Sequence, residues 1–200
     1  AIKINLQVLK KNHNDFSEND RRRVDISESQ VVRLEGILQE LLDFAKPLQM
    51  QLHECSVNQI LATCLDLVSA QFEQKNVSVI SDFALDLPAI QGDTEKLSQA
   101  FLNVLLNAFN ESPAGGKIWI TSRCAPNAVN PGIDVRVDDE GNGILKKDLP
   151  NIFEPFFTTK VSGTGLGLTN VKRIVEAHGG SVEAANREPH GASFCVFLPL

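Results

Sequence analysis

No apolar run in this chain approaches the roughly 18 residues that a membrane-spanning helix needs, and Ala1 to Lys11 lack the uninterrupted apolar core of a signal peptide. The chain as it stands reads as soluble. An excess of positive charge is missing too, since the formal net charge is −6. A broad nucleic-acid surface works by neutralising phosphates with Lys and Arg, so that class is excluded, whereas a single nucleotide needs only a local positive patch. The four cysteines, Cys55, Cys64, Cys124 and Cys195, make no C-x-x-C pair. That removes a zinc knuckle and a dithiol redox motif and leaves ordinary buried thiols of a reducing compartment. Gly115-Gly116-Lys117 fails as a Walker loop, because Ile118 stands where Ser or Thr is required and Glu111 where the first glycine belongs. Gly163 to Leu168 fails as a dinucleotide fingerprint, because Leu168 takes the last glycine position and no strand precedes it. No internal repeat is visible.

What is present is enough apolar material, 42% of 200 residues, for one core of roughly 150 residues with an appendage. Ile2, Leu6 and Leu9 recur at helical spacing, while Ile2, Ile4, Leu6 and Val8 fit a strand alternation equally well. Residues 12–23 are polar and read as a turn or frayed helix ends. From Asp25 onward, Leu34, Leu38, Leu41 and Ala45, widened by Val31, Ile37 and Phe44, form an amphipathic helix. It stops before Pro47, with Asp25 or Ser27 as N-cap. Such a stripe has to be covered, either by the main domain or by a dimerising helical hairpin. After a linker from Pro47, the pattern predicts a helix over 56–74, a strand around 77–83 and a helix capped by Asp93 that runs to about Glu111. Strands at 117–123 and 133–139 form a hairpin across the turn-rich segment from Ala125 to Gly132. A last helix to about Ala177 and strands at 181–185 and 192–198 complete a two-layer α/β sandwich with one sheet face covered.

Four stretches carry chemistry. In the helix after Asp93, Leu97, Phe101, Val104, Leu105 and Ala108 make the buried stripe, while Asn103, Asn107 and Asn110 line another face. Asparagine weakens a helix, so these amides either hydrogen-bond neighbouring loops or use their carbonyl oxygens on a hard cation such as Mg²⁺. The strand ending in Asp138-Asp139 runs into Glu140-Gly141-Asn142-Gly143, a D-x-G-x-G string in which glycine lets backbone approach a ligand and the carboxylate can accept an adenine amine. Many hairpin turns contain the same string. Gly163 to Gly167 feeds a helix amino end, where free N–H groups and the dipole favour phosphate. Between the glycine stretches, Phe153-Glu154-Pro155-Phe156-Phe157-Thr158-Thr159-Lys160 reads as an apolar latch on a loop, with Lys160 free to reach a terminal phosphate. It reads equally as a satellite cluster under a surface loop.

In this order, Q-A-F-L-N-V-L-L-N-A from Gln99, D-E-G-N-G from Asp139, F-E-P-F-F-T-T-K from Phe153 and G-T-G-L-G-L from Gly163 resemble the asparagine, first glycine, phenylalanine and second glycine boxes of sensor histidine kinases of two-component systems. The wider group includes gyrase, the heat-shock chaperone ninety family and the mismatch-repair ATPases. The tail, I-V-E-A-H-G-G-S-V-E from Ile174 and G-A-S-F-C-V-F-L-P from Gly191, resembles the family's closing strands, and the short lid is similar to that of the nitrogen-regulation type. The resemblance implies an α+β, Bergerat-type ATP-binding fold, a mixed sheet covered by three helices over residues 53–200. A linker at 47–52 and a partial dimerisation and phosphoacceptor hairpin at 1–46 would precede it. It implies that Asn107 ligates Mg²⁺ with Asn103 near the phosphates, that Asp139 holds the adenine amine, and that Gly141 and Gly143 shape that turn. Phe153 and Phe156 would position the lid. Thr159, Lys160 and the loop of Gly163, Thr164, Gly165, Leu166, Gly167 and Leu168 would contact the nucleotide. ATPases of the wider group place a water-activating glutamate where Asn103 stands, and an amide cannot act as that base, which points to a phosphoryl donor rather than a hydrolase.

None of the four histidines fits the family's H-E/D-x-x-N-P acceptor motif. His13 falls in the presumed turn, His53 in the linker, His178 before Gly179-Gly180 and His190 in the last turn, and each reads as solvated or structural. L-L-D-F-A-K-P from Leu41 resembles the end of the second hairpin helix and A-I-K-I-N-L from Ala1 the stretch just after the acceptor, so the chain is expected to start a few residues beyond it. The resemblance implies ATP and ADP as ligands, a homodimer through the hairpin, a response-regulator receiver domain as partner, no nucleic acid, and no membrane contact from this fragment. A cytoplasmic location follows, with inner-membrane anchoring open for the intact protein. A nucleotide-sensing module without transfer activity is the competing class.

Overall fold

The computed structural model of the protein describes residues 2, 6, 8, 9, 17–125, 131–160 and 163–200. The turn expected at His13 and the middle of the turn between the two hairpin strands lie outside the described residues. The chain divides into two compact units, Ala1–Pro47 and Leu48–Leu200. No described helix is long and apolar enough to cross a membrane.

In the first unit Ile2, Leu6, Val8 and Leu9 are helical, so the 3.6-residue spacing is realised rather than the strand alternation. Helix α1 spans Glu18–Ala45, which corrects the expected start near Asp25. Its N-cap is Ser17, whose Oγ accepts from the Asp20 N–H at 3.2 Å and donates to the Asp20 carboxylate at 2.6 Å. Acidic Glu18 and Asp20 in the first turn suit the positive helix end, and Ser27 sits inside the helix with its hydroxyl on the Arg23 carbonyl. Residues 18–23, part of the polar stretch read as a turn or frayed helix ends, are therefore helical. Pro47 ends α1 by forcing Lys46 into an extended conformation.

The second unit carries strands β1 (His53–Cys55), β2 (Ser78–Phe83), β3 (Ile90–Gly92), β4 (Lys117–Ala125), β5 (Gly132–Asp139), β6 (Ser181–Asn186) and β7 (Ala192–Pro199). Its helices are α2 (Val57–Gln74), α3 (Thr94–Glu111) and α4 (Gly167–Ala177), with a short 3-10 turn at Leu149–Asn151. The main sheet has the order β2-β4-β5-β7-β6, with β2 parallel to β4 and every other pair antiparallel. Burial alternates along it: Ile118, Ile120, Val135, Val137, Phe194, Val196 and Leu198 are buried, while Trp119, Arg136 and Cys195 face outward. A half-buried antiparallel sheet has this period. The inward residues share one core with Ile60, Leu61 and Val68 of α2, Leu97, Phe101 and Leu105 of α3, and Val171 and Ile174 of α4. The expected mixed sheet under three helices is what forms.

One small piece was missed. His53, expected in the linker, belongs to β1, which pairs with β3 so that His53 faces Gly92. A three-residue strand is too short to display a period. Its neighbour Asp93 ties three segments together: Oδ1 accepts from the Lys96 N–H at 3.1 Å, Oδ2 from the Gln51 N–H at 2.8 Å, and its own N–H donates to His178 Nε2 at 2.9 Å. Only an unprotonated Nε2 can accept that bond, so His178 Nδ1 carries the hydrogen it donates to the Ile174 carbonyl at 2.8 Å. His178 is thus a structural histidine. Cys55 and Cys64 are buried and Cys195 half-buried, whereas Cys124, expected to be buried, is exposed near the end of β4. Burial pushes the Cys64 thiol up to about 11, which keeps it an unreactive core group.

Candidate functional site

Antiparallel register brings Asp139, the last residue of β5, opposite Ile118 of β4, and β5 leaves it 1% exposed. Its Oδ1 accepts from the Gly141 N–H at 2.8 Å and the Ala192 N–H at 3.1 Å. Its Oδ2 is buried with no hydrogen-bond partner among the described residues. Burial raises the acid above its ordinary range, the two N–H bonds work against that rise, and the charges of Glu111 and Asp138 add to it. A buried acceptor without a donor is costly, so Oδ2 is chemically matched to an N–H from outside the chain. The donor edge of an adenine amine fits that requirement.

The loop after Asp139 is held by contacts that glycine alone permits. A Cβ on Gly141 would stand 2.9 Å from Asp139 Oδ1 and from the Glu111 carbonyl, while Gly143 adopts φ +73. Asn186 of β6 secures the far side of this loop. Its Oδ1 accepts from the Ile144 N–H at 2.6 Å and its Nδ2 donates to the Ile144 carbonyl at 2.7 Å. Sequence reasoning missed Asn186, and a bracket formed across 42 residues leaves no local pattern that could have revealed it.

Helix α3 supplies the opposite wall. Asn103 and Asn107 are half-buried one turn apart, whereas Asn110, the third amide of the stripe, is exposed. Asn103 Nδ2 lies 3.4 Å from the Gly167 carbonyl, which links α3 to the first residue of α4. Asn107 Oδ1 accepts from Lys160 Nζ at 2.9 Å, and the same ammonium lies 2.7 Å from Glu111 Oε1. Among the described residues no three His, Cys, Asp or Glu side chains gather as a metal cluster. Mg²⁺ commonly takes only one or two protein oxygens, completing its shell with phosphates and water, and Asn107 Oδ1, already facing a cation, is a fitting ligand.

Helix α4 starts at Gly167 with no side-chain cap, so its first N–H groups lack both a helical acceptor and a capping side chain. Gly165, at φ +71, comes so close to Phe156 that a Cβ there would collide with the Phe156 backbone, and the Phe156 N–H donates to the Gly165 carbonyl at 3.1 Å. The phenylalanine stretch and the second glycine loop are therefore joined through main chain. Phe153 and Phe157 pack against the core, whereas Phe156, in a left-handed conformation at φ +65, is 59% exposed. The Leu166 side chain is buried, and the Leu168 side chain packs on the core while staying partly exposed. Thr159 and Gly163 are exposed, and the Thr164 hydroxyl accepts from the Leu166 N–H at 3.3 Å.

A family model described as histidine kinase-, DNA gyrase B-, and HSP90-like ATPase matches residues 92–200. The sensor histidine kinase ZraS of Escherichia coli (strain K12) is 36% identical over 168 residues, covering 84% of this chain and 35% of its own length. The signal transduction histidine-protein kinase AtoS of the same strain is 34% identical over 200 residues, 100% of this chain and 32% of its own. The chain thus spans about a third of the length of these curated relatives. Among solved structures, the catalytic domain of histidine kinase ThkA is similar with a TM-score of 0.68 at 30% identity, covering 75% of this chain and 96% of that one. ThkA in complex with the response regulator protein TrrA matches with a TM-score of 0.77 at 27% identity, over 99% of this chain and 56% of that one.

Proposed function

Because the chain belongs to the sensor histidine kinases and carries their histidine kinase-, DNA gyrase B-, and HSP90-like ATPase domain, we propose that residues 48–200 hold Mg-ATP as the phosphoryl donor for a histidine on a dimerisation hairpin. The observation that carries this reading is Asp139, one oxygen fixed by two N–H donors and the other buried and unpartnered. Oδ2 accepts the adenine amine, and the Gly141 approach lets the ring reach it. A guanine carbonyl at the same place would set acceptor against acceptor, so the base is selected by charge pattern as well as shape. Asn107 holds Mg²⁺ and Asn103 lies beside the phosphates. A magnesium ion held there would supply charge neutralisation for phosphoryl transfer. Lys160 and the main-chain N–H groups at the start of α4 hold the phosphate oxygens, and Phe153 with Phe157 anchors the segment that carries Lys160. With an amide at position 103, that position offers no base for water, and the site positions a donor.

None of the four histidines stands in an H-E/D-x-x-N-P sequence, so the acceptor in this reading is a hairpin that carries that motif. A homodimer through the α1 stripe would present such a hairpin, and a receiver domain of a response regulator would take the phosphoryl group onward. We assign this work to the cytoplasm, where Mg-ATP is supplied. Incubation with γ-labelled ATP and a hairpin protein bearing the motif should place label on the hairpin histidine. Asp139→Asn should reduce both labelling and ATP affinity by about 10- to 100-fold, the effect of leaving a buried polar pair mismatched. Unchanged ATP binding by that variant would sink the adenine assignment, and rapid ATP turnover by the chain alone would replace the donor reading with a hydrolase.

A further inference from the structure

We propose that Lys160 and Glu111 form a cation placeholder at Asn107, so that an incoming magnesium ion must displace a lysine ammonium that Glu111 holds in its position. The inference rests on the reading of Asn107 as the metal ligand and adds Glu111 to the site as a positioning residue. An ammonium and Mg²⁺ both seek oxygen lone pairs, and the amide oxygen of Asn107 is engaged by Lys160 Nζ at 2.9 Å. Glu111 follows Asn107 by one helical turn on α3, and its Oε1 lies 2.7 Å from the same Nζ. Glu111 is also the last residue of α3, where the negative end of the helix dipole adds to the attraction for a cation. One ammonium cannot fill this position and neutralise phosphate at the same time. Lys160 therefore has two alternative stations, and Glu111 biases it toward the one that blocks the metal. The apparent affinity for a metal nucleotide is then reduced by the fraction of molecules in which Lys160 has left. The arrangement also keeps Asn107 satisfied and the glutamate neutralised before nucleotide arrives, which spares the ligand-free domain an unpaired charge in a half-buried cleft.

The test is a double-mutant cycle read by calorimetric titration with ADP, once in excess Mg²⁺ and once in EDTA. Glu111→Gln keeps the shape of the side chain and removes its charge. It should tighten Mg-ADP binding by roughly two- to fivefold, the range for an ion pair of this exposure. That gain should be smaller in EDTA, where no metal competes for Asn107 and only the release of Lys160 toward phosphate remains, and it should vanish when E111Q is added to K160M. An equal gain in EDTA or in the K160M background overturns the proposal, because Glu111 would then act only by repelling phosphate. No gain with Mg²⁺ overturns it as well. If the unaltered chain bound no ADP at all, the nucleotide reading beneath the proposal would fail. Binding without the Mg²⁺-dependent gain defeats the placeholder alone.

Discussion

Asp139 bears opposing demands from folding and from binding. Burial is the larger influence on its acid, so its folded pKa stands above the ordinary 3.8 despite the two N–H bonds, with Glu111 and Asp138 raising it further. A carboxyl raised on folding binds its proton more tightly in the native state than in the unfolded one. Its charge therefore weakens the fold above the raised pKa, and that burden disappears as the pH falls toward 3.8. Asp139→Asn removes the charge but leaves an orphan amide, a smaller penalty than a buried carboxylate. The ligand-free variant should be more stable at pH 7 by about 1 kcal/mol, a rise in Tm of about 2–4 °C for a unit of this size. Thermal melts of both proteins from pH 7 downward should show the advantage shrinking. A constant or growing advantage would mean that Asp139 is not under this strain. The D-x-G-x-G string was legible at this scale because a carboxylate followed by two glycines is local in sequence. Asn186 was not, since its bracket on Ile144 depends on β6 and the glycine loop meeting in space. Nor does anything in F-E-P-F-F announce that Phe156 takes a left-handed backbone.

At the scale of elements, α3 carries the asparagines, and its start is fixed from three directions. Asp93 caps α3, receives the Gln51 N–H and gives its own N–H to His178 at the carboxyl end of α4. Burial disfavours its charge, but the N–H groups of Gln51, Lys96 and Glu95 outweigh that effect and hold the carboxyl below its ordinary value. The sign is opposite to that of Asp139: this stabilisation is complete above the unfolded pKa of 3.8 and is lost as the pH falls through the lower folded value. Asp93→Ala should destabilise the unit by about 2 kcal/mol at pH 7, lowering Tm by about 4–8 °C. The gap between the two proteins should narrow only in strong acid. A substitution that cost nothing in urea denaturation would remove the cap from this account. The cap was readable from Asp93 ahead of an apolar stripe, and so were the long strands, whose alternation spans many residues. The β1–β3 pair was not, because three residues cannot establish a period. The start of α1 was misplaced because its first turns hold no apolar residue, and the helix there rests on Ser17, acidic first-turn residues and good helix formers instead.

For the whole molecule, the outstanding question is what covers α1. Its stripe at Leu34, Leu38 and Leu41 is exposed, with Leu34 at 58% and Leu38 at 59%, and apolar residues repeated at four and three along 28 helical residues are the pattern of a helix that packs lengthwise on others. The core cluster of described residues is drawn from 48–200 alone. Association and nucleotide binding should therefore separate cleanly. In the proposed homodimer, burying the leucines removes apolar surface from water at about 25 cal/mol per Å², and placing charge in the seam reverses that gain. Sedimentation of the chain should show a concentration-dependent monomer–dimer equilibrium, and L34E together with L38E should leave only monomer. ATP affinity should be unchanged in the doubly substituted chain, since neither leucine belongs to the nucleotide site. A chain that remains monomeric at all concentrations would show that residues 17–46 do not suffice to pair two copies, and a fall in ATP affinity with L34E and L38E would show that α1 contributes to the site after all.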